Sequence, residues 1–183
     1  MDIKKTANSF ANFTIKRIAE IFGLTVFCAG ALLLLALITY SPEDPNFIFP
    51  ENTKIDNILG FQGSFVSDVF FQSIGLVSYF FSFTLIITGI NIIRSKEFFL
   101  IIENIFFAII YSLLGTLFFA HFYSEAFTLY INGNGGFIGA YLNQSFLNSI
   151  ILINEVIFYY LLIILNIFLF LISINFHPIK FYE

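Results

Sequence analysis

The sequence predicts an all-α integral membrane protein: four transmembrane helices forming two parallel-repeat hairpins, each with a short outer amphipathic helix. Three observations lead there. Hydrophobic residues make up 58% of the 183-residue chain and charged residues only 11%, against roughly a quarter charged in ordinary soluble domains. Four long apolar runs, at a mean hydropathy of +0.90 for the whole chain, are separated by breaks that carry charge or proline. Finally, the two longer connections share a glycine-bounded pattern at a single offset.

The first run, Ile21 to Tyr40, holds no charged residue, and at 1.5 Å per residue it crosses roughly 30 Å of hydrocarbon. Ser41-Pro42-Glu43-Asp44-Pro45 then stops it. Each proline lacks a backbone N–H and pushes its predecessor out of the α region, and two carboxylates are expensive in hydrocarbon. Residues 1–20 form a polar N-terminal segment in which Phe10, Phe13, Ile18 and Ile21 suggest an amphipathic helix running into the span. A cleaved leader is the rival reading. The run is longer than a usual leader core and no small-x-small site precedes Tyr40, which favours an uncleaved span.

The remaining spans fall at about 74–93, 98–120 and 150–174, completing a membrane domain over 21–174. His177-Pro178 is expected to end the last helix, with a tail over 175–183. Of eight Lys and Arg, all but Lys54 lie before span one, between spans two and three, or after span four. The positive-inside rule therefore places both termini in the cytoplasm and the long connections outside. Glu43, Asp44, Glu51, Asp56, Asp68 and Glu125 then lie on the outer side.

Gly60-Phe61-Gln62-Gly63 returns as Gly136-Phe137-Ile138-Gly139, and Phe70-Phe71-Gln72-Ser73-Ile74 as Phe146-Leu147-Asn148-Ser149-Ile150. Phe61, Phe65, Val66, Val69 and Phe70 share one helical face, as do Phe137, Tyr141, Leu142 and Phe146. Each segment reads as a short amphipathic helix lying on the outer surface or dipping into it. Both lead into a span of the same direction, which corresponds to a repeat about an axis along the membrane normal.

Little chemistry is on offer. Cys28 is the single cysteine, so no internal disulfide exists, and its place inside a span reads as packing. Glu103 lies near the inner end of span three, within reach of Arg94 or Lys96. Glu155, read as lying inside span four, could meet His121 as a carboxylate–imidazole pair able to relay protons, the basis of an alternative reading as a small transporter or channel. Asn166 is expected to hydrogen-bond across helices. The chain has no Gly-Lys-Ser/Thr loop, no His-Glu-x-x-His, and two histidines in all; no cofactor, metal site or catalytic set is expected. A formal charge of −4 speaks against direct nucleic acid binding.

Tyr40-Ser41-Pro42-Glu43-Asp44-Pro45 with the apolar run before it, Asn57-Ile58-Leu59-Gly60 through Gly63, Ser67-Asp68 with Gly75, and Gly135-Gly136-Phe137-Ile138-Gly139 resemble the amino-terminal four-span domain of the FtsK/SpoIIIE DNA translocases. The resemblance covers about Phe22 to Ile174. It implies a multi-pass anchor in the bacterial inner membrane at the division septum. It also implies contacts with other cell-division membrane proteins, and hexamers driven by a RecA-like motor that follows a linker. This chain departs from that pattern by ending at Glu183, so ATP hydrolysis and DNA translocation are not assigned to its residues.

Overall fold

The computed structural model describes residues 3–45, 54–124 and 131–176, without the side chains of residues 3–7 and 9. Glu51, Glu125, His177, Pro178 and Lys180 lie outside the described residues, as does most of the expected tail. Among the described residues seven α-helices follow one another: α1 Ile3–Ile38, α2 Gly60–Ile74, α3 Ser78–Ser95, α4 Leu100–Phe122, α5 Gly136–Asn143, α6 Phe146–Ile151 and α7 Glu155–Ser173, with a 3₁₀ turn at Gly75–Val77 between α2 and α3. Four stretches of these residues are long and apolar enough to cross a membrane: Phe10–Ile38, Gly60–Ser95, Leu100–Phe122 and Glu155–Ser173.

The N-terminal segment is no separate surface helix. It joins span one as a single helix of 36 residues, roughly 54 Å long at 1.5 Å per residue, with no proline or glycine before Gly23 to break it. The second membrane-length stretch, Gly60–Ser95, is broken at Gly75, whose positive φ of 59° ends α2, so the helix that carries span two starts at Ser78. Span four begins at Glu155 and not at Ile150. Asn154 caps it, its Oδ1 accepting the Ile157 N–H at 3.1 Å, so 150–153 belongs to the connection. Span four also ends before His177-Pro178: Asn175 takes φ 52°, and its N–H returns to the Ile172 carbonyl at 2.8 Å, a left-handed stop.

Each span packs chiefly on its neighbour in sequence. α1 runs along α3, α3 lies against α4, and α4 against α7, while α2 and α5 cross each other at one end. Small residues make the first contact close: a Cβ on Gly89 would come within 2.5 Å of the Phe27 nitrogen, and one on Gly30 within 2.7 Å of the Ile86 nitrogen. Without a hydrophobic drive between helices in lipid, such backbone approach is what dispersion and packing need. α7 brings no glycine of its own; Gly115 of α4 supplies the space, facing Asn166.

A polar seam crosses the inner faces of α3, α4 and α7. Thr84 Oγ1 lies 2.9 Å from the Tyr111 hydroxyl and 3.2 Å from Ser173 Oγ, and Asn104 Nδ2 donates to Thr88 Oγ1 at 2.8 Å. Each bond of this kind contributes modestly, about 0.6 kcal/mol in a membrane, yet together they fix the rotation of three spans. Asn166 does not join them: its amide donates to the Leu162 carbonyl of its own helix. Cys28 is exposed on α1 and not a packing residue.

The ends of the helices sort into two sets. Glu20 pairs with Lys96, the Phe22 ring lies tilted against Phe98, and Asn91 donates to the Ile174 carbonyl, so these share one end, the Lys96 end. The described parts of the two long connections, 39–45 with 54–59 and 123–124 with 131–154, share the other, the Tyr40 end. At that end α2 and α5 agree in how they begin: Gly60 has φ 66° and Gly136 φ 64°. They differ beyond that, because Ser145 caps a new helix, its side chain accepting from the Leu147 N–H, and divides the second segment into α5 and α6. The structure leaves the repeat as a pattern of the sequence.

Candidate functional site

The densest set of buried polar contacts lies at the Tyr40 end, built on the proline-containing exit. A helix leaves its last four carbonyls without intrahelical partners, and in a bilayer each must be satisfied by protein. α1 has no glycine stop to do this. Leu35 O takes the Thr39 N–H at 3.1 Å and its hydroxyl at 2.8 Å. Ala36 O takes the Asn57 amide at 2.9 Å, and Leu37 O takes the Tyr79 hydroxyl at 3.3 Å. Asn57 Nδ2 reaches the Thr39 carbonyl as well. The cap of span one is therefore a side chain from beyond the exit loop together with one from span two.

Asn57 is held in turn by Asp44. Pro42 and Glu43 form the middle of a turn in which the Asp44 N–H donates to Ser41 O at 3.2 Å, with proline at its favoured second position. That turn directs the Asp44 carboxylate inward: Oδ1 accepts the Asp56 N–H at 2.8 Å and Oδ2 the Asn57 N–H at 2.9 Å. Asp44 is 1% exposed, while Glu43 beside it stays exposed. A buried carboxylate is tolerated when donors of this kind meet it. Pro45 O accepts the Ser64 hydroxyl at 3.1 Å, and the Tyr40 hydroxyl donates to Asp68 Oδ1 at 3.0 Å, so α2 is tied to the exit at two more points.

Gly63 packs against this staple, and a Cβ there would overlap Asn57 Oδ1. Gly60 only turns the chain; a Cβ there meets nothing. Gly139 lies against the Thr116 carbonyl of α4. Gly136 faces Gly75, where the two hairpins cross: the Leu76 N–H donates to Asn134 O at 3.0 Å, and Asn134, itself buried, donates to the Tyr123 carbonyl.

The polar membrane residues fare differently. His121 Nδ1 lies 3.0 Å from Asn143 Oδ1, an acceptor, so the ring nitrogen donates there. Glu155 does not meet His121; it lies exposed in the first turn of α7, where a negative charge suits the helix N-terminus. Glu103 likewise lies exposed in the first turn of α4, and the partner of Lys96 is Glu20, which also pairs with Arg17. No group of three His, Cys, Asp or Glu able to hold a metal occurs among the described residues.

Sequence reading left Asn57, Gly75, Asn134 and the Thr84–Tyr111–Ser173 set without roles. Asn57 carried one usable signal, an amide just before a glycine that opens a helix. The others depend on which spans become neighbours.

The geometry describes a body with four membrane-length helices and a stapled cap at one end. Comparison with known proteins places it in a family. The family model described as the 4TM region of DNA translocase FtsK/SpoIIIE matches residues 15–182. A protein named DNA translocase FtsK from Rhizobium meliloti is 31% identical over 78 residues, 43% of this chain and 9% of that protein. One of the same name from Caulobacter vibrioides is 35% identical over 79 residues, 43% of this chain and 10% of that protein. The matched stretch is thus about a tenth of the length of these relatives. No solved structure matches the chain. A match across nearly all the described residues, over four apolar spans in the expected order, shows that the chain belongs to the family of the four-span region of FtsK/SpoIIIE DNA translocases.

Proposed function

We propose that this chain anchors an FtsK-like DNA translocase in the bacterial inner membrane at the division septum and serves there as an interaction domain in cell division and chromosome segregation. The family match over residues 15–182 carries the reading. In it the chain does no catalysis and binds no nucleic acid; a motor would be joined at the Lys96 end, in the cytoplasm. Its partners are the lipid bilayer, other division membrane proteins, and copies of itself, the hexamer following from the resemblance. The transporter reading loses the Glu155–His121 pair it rested on. A fluorescent fusion, in cells whose own translocase lacks its four-span region, should gather at the division site and restore septation. Even spread around the membrane, with cells still filamentous, would overturn the proposal.

Orientation has its own test. In a Cys28→Ser background, a membrane-impermeant maleimide should label Lys54→Cys, whose side chain is 93% exposed, in intact cells and Glu97→Cys only after the inner membrane is opened. The reverse pattern would put the Lys96 end outside and remove the cytoplasmic motor connection.

A further inference from the structure

The outer helices are built inside out. On α2 the residues turned into the protein are Gly63, Ser64, Ser67, Asp68 and Phe71, and Ser67 is 0% exposed. The residues turned away are Phe61, Phe65, Val66 and Val69, with Gln62 in the first turn. α5 repeats the inversion: Gly136 and Gly139 are buried, while Phe137 is 62% and Tyr141 66% exposed. An amphipathic helix covering a protein in water does the opposite, since apolar area in water costs about 25 cal/mol per Å². Polar side chains gathered inward with apolar ones outward suit a helix surrounded by hydrocarbon.

Depth gives a second, independent argument. Val77, at the break between α2 and α3, packs against Gly115 of α4. The stretch from Gly115 to the end of α4 at Phe122 rises roughly 10 Å, so α2 meets α3 well below the end of its neighbour. Where α2 and α5 cross, a groove of about 280 Å³ opens between them and α3 and α4, lined by Val69, Phe70, Phe81, Ile109, Leu113 and Ile138, with Ser73 and Ser112 as its polar side chains. Ile109 and Leu113 also belong to the exposed face of the α4 span. The exposed surface of α2 is therefore continuous with that of a membrane span.

We infer that α2 and α5 are immersed in the membrane leaflet at the Tyr40 end, their aromatic faces against lipid acyl chains, and that an acyl chain fills the groove at their crossing. The staple around Asp44 and Asn57 then acts as a polar plug that lets this part of the chain sit below the headgroups. The inference needs only the four spans and stands apart from the translocase reading.

The chain contains no Trp, so a single introduced indole reports its own surroundings. Phe65→Trp and Phe137→Trp replace exposed rings and leave the buried contacts in place; Ile164→Trp on the exposed face of α7 is the reference for acyl-chain contact. Full-length protein in vesicles of phosphatidylcholine brominated along the acyl chain is the probe, with aqueous acrylamide as its counterpart. Both outer-helix reporters should lose emission to the bromines as strongly as Ile164→Trp and resist acrylamide. Quenching by acrylamide and not by bromines would put these faces in water, and shielding from both would give them to a second copy. Either result overturns the inference.

Discussion

Gly75→Ala is expected to disrupt the crossing of the two hairpins, while Gly60→Ala leaves it standing. Both glycines have positive φ, 59° and 66°, where a side chain costs roughly 1–2 kcal/mol, and the ψ of −141° at Gly75 lies outside the left-handed helical well and adds to its strain. The larger difference lies in what the new Cβ meets. At Gly60 it meets nothing, whereas at Gly75 it falls on the carbonyl group of Asn134, whose oxygen accepts the Leu76 N–H at 3.0 Å. That oxygen belongs to backbone held by the Gly136 N–H to Gly133 O bond at 3.1 Å and by the close packing of Gly135 on the Thr116 carbonyl, so it cannot swing aside as a side-chain tip would. We expect Gly60→Ala to cost about 1 kcal/mol and Gly75→Ala at least about 3 kcal/mol, the range of backbone clashes and lost buried hydrogen bonds. Far-UV circular dichroism during heating of the protein in nanodiscs gives the comparison. Equal losses for the two variants would mean that the penalty is the dihedral alone and that α2 and α5 do not cross here.

What the sequence made legible follows from which forces are local. Span existence depends on unbroken apolar runs, and four such runs appear where expected. Helix ends depend on caps, and a cap made by a single residue does not show in an apolar run. Ile150 to Ile153 is apolar enough to look like span four, yet Asn154 holds the first turn and starts the helix after it. Helices α2 and α5 illustrate a second limit. Periodicity places Phe61, Phe65 and Val69 on one face but carries no sign; whether that face turns inward or outward depends on the solvent. In water they would be core, and here they are exposed while Ser64, Ser67 and Asp68 are buried.

The site was legible as a stop and not as a staple. Pro42 and Pro45 announce the end of a helix through their own covalent geometry. Nothing local says that the Asp44 carboxylate will accept the backbone N–H groups of Asp56 and Asn57, 12 and 13 positions further on. Nor does the sequence say that Asn143 will lie 3.0 Å from the His121 ring while Glu155 stays exposed at the start of α7.

The second large effect is expected from that staple. Asn57→Ala removes the donor to Ala36 O and Thr39 O and the acceptor of the Leu59 N–H at 3.1 Å. The end of span one is then uncapped at a buried position. Asp44→Ala strips the acceptor from two backbone N–H groups. Each unsatisfied buried group costs about 1–3 kcal/mol, so either variant should lose about 2–4 kcal/mol. Asp44→Asn should recover less than half, because an amide offers one oxygen and turns its own N–H₂ toward a second donor. The two alanine variants act on one link: without Asp44 the 54–57 segment no longer presents Asn57 to α1. The double variant should therefore lose clearly less than the sum of the singles, the mark of coupled residues. Additive losses would show instead that Asn57 finds the end of α1 unaided, and the Pro-Glu-Asp-Pro turn would then be a stop signal alone.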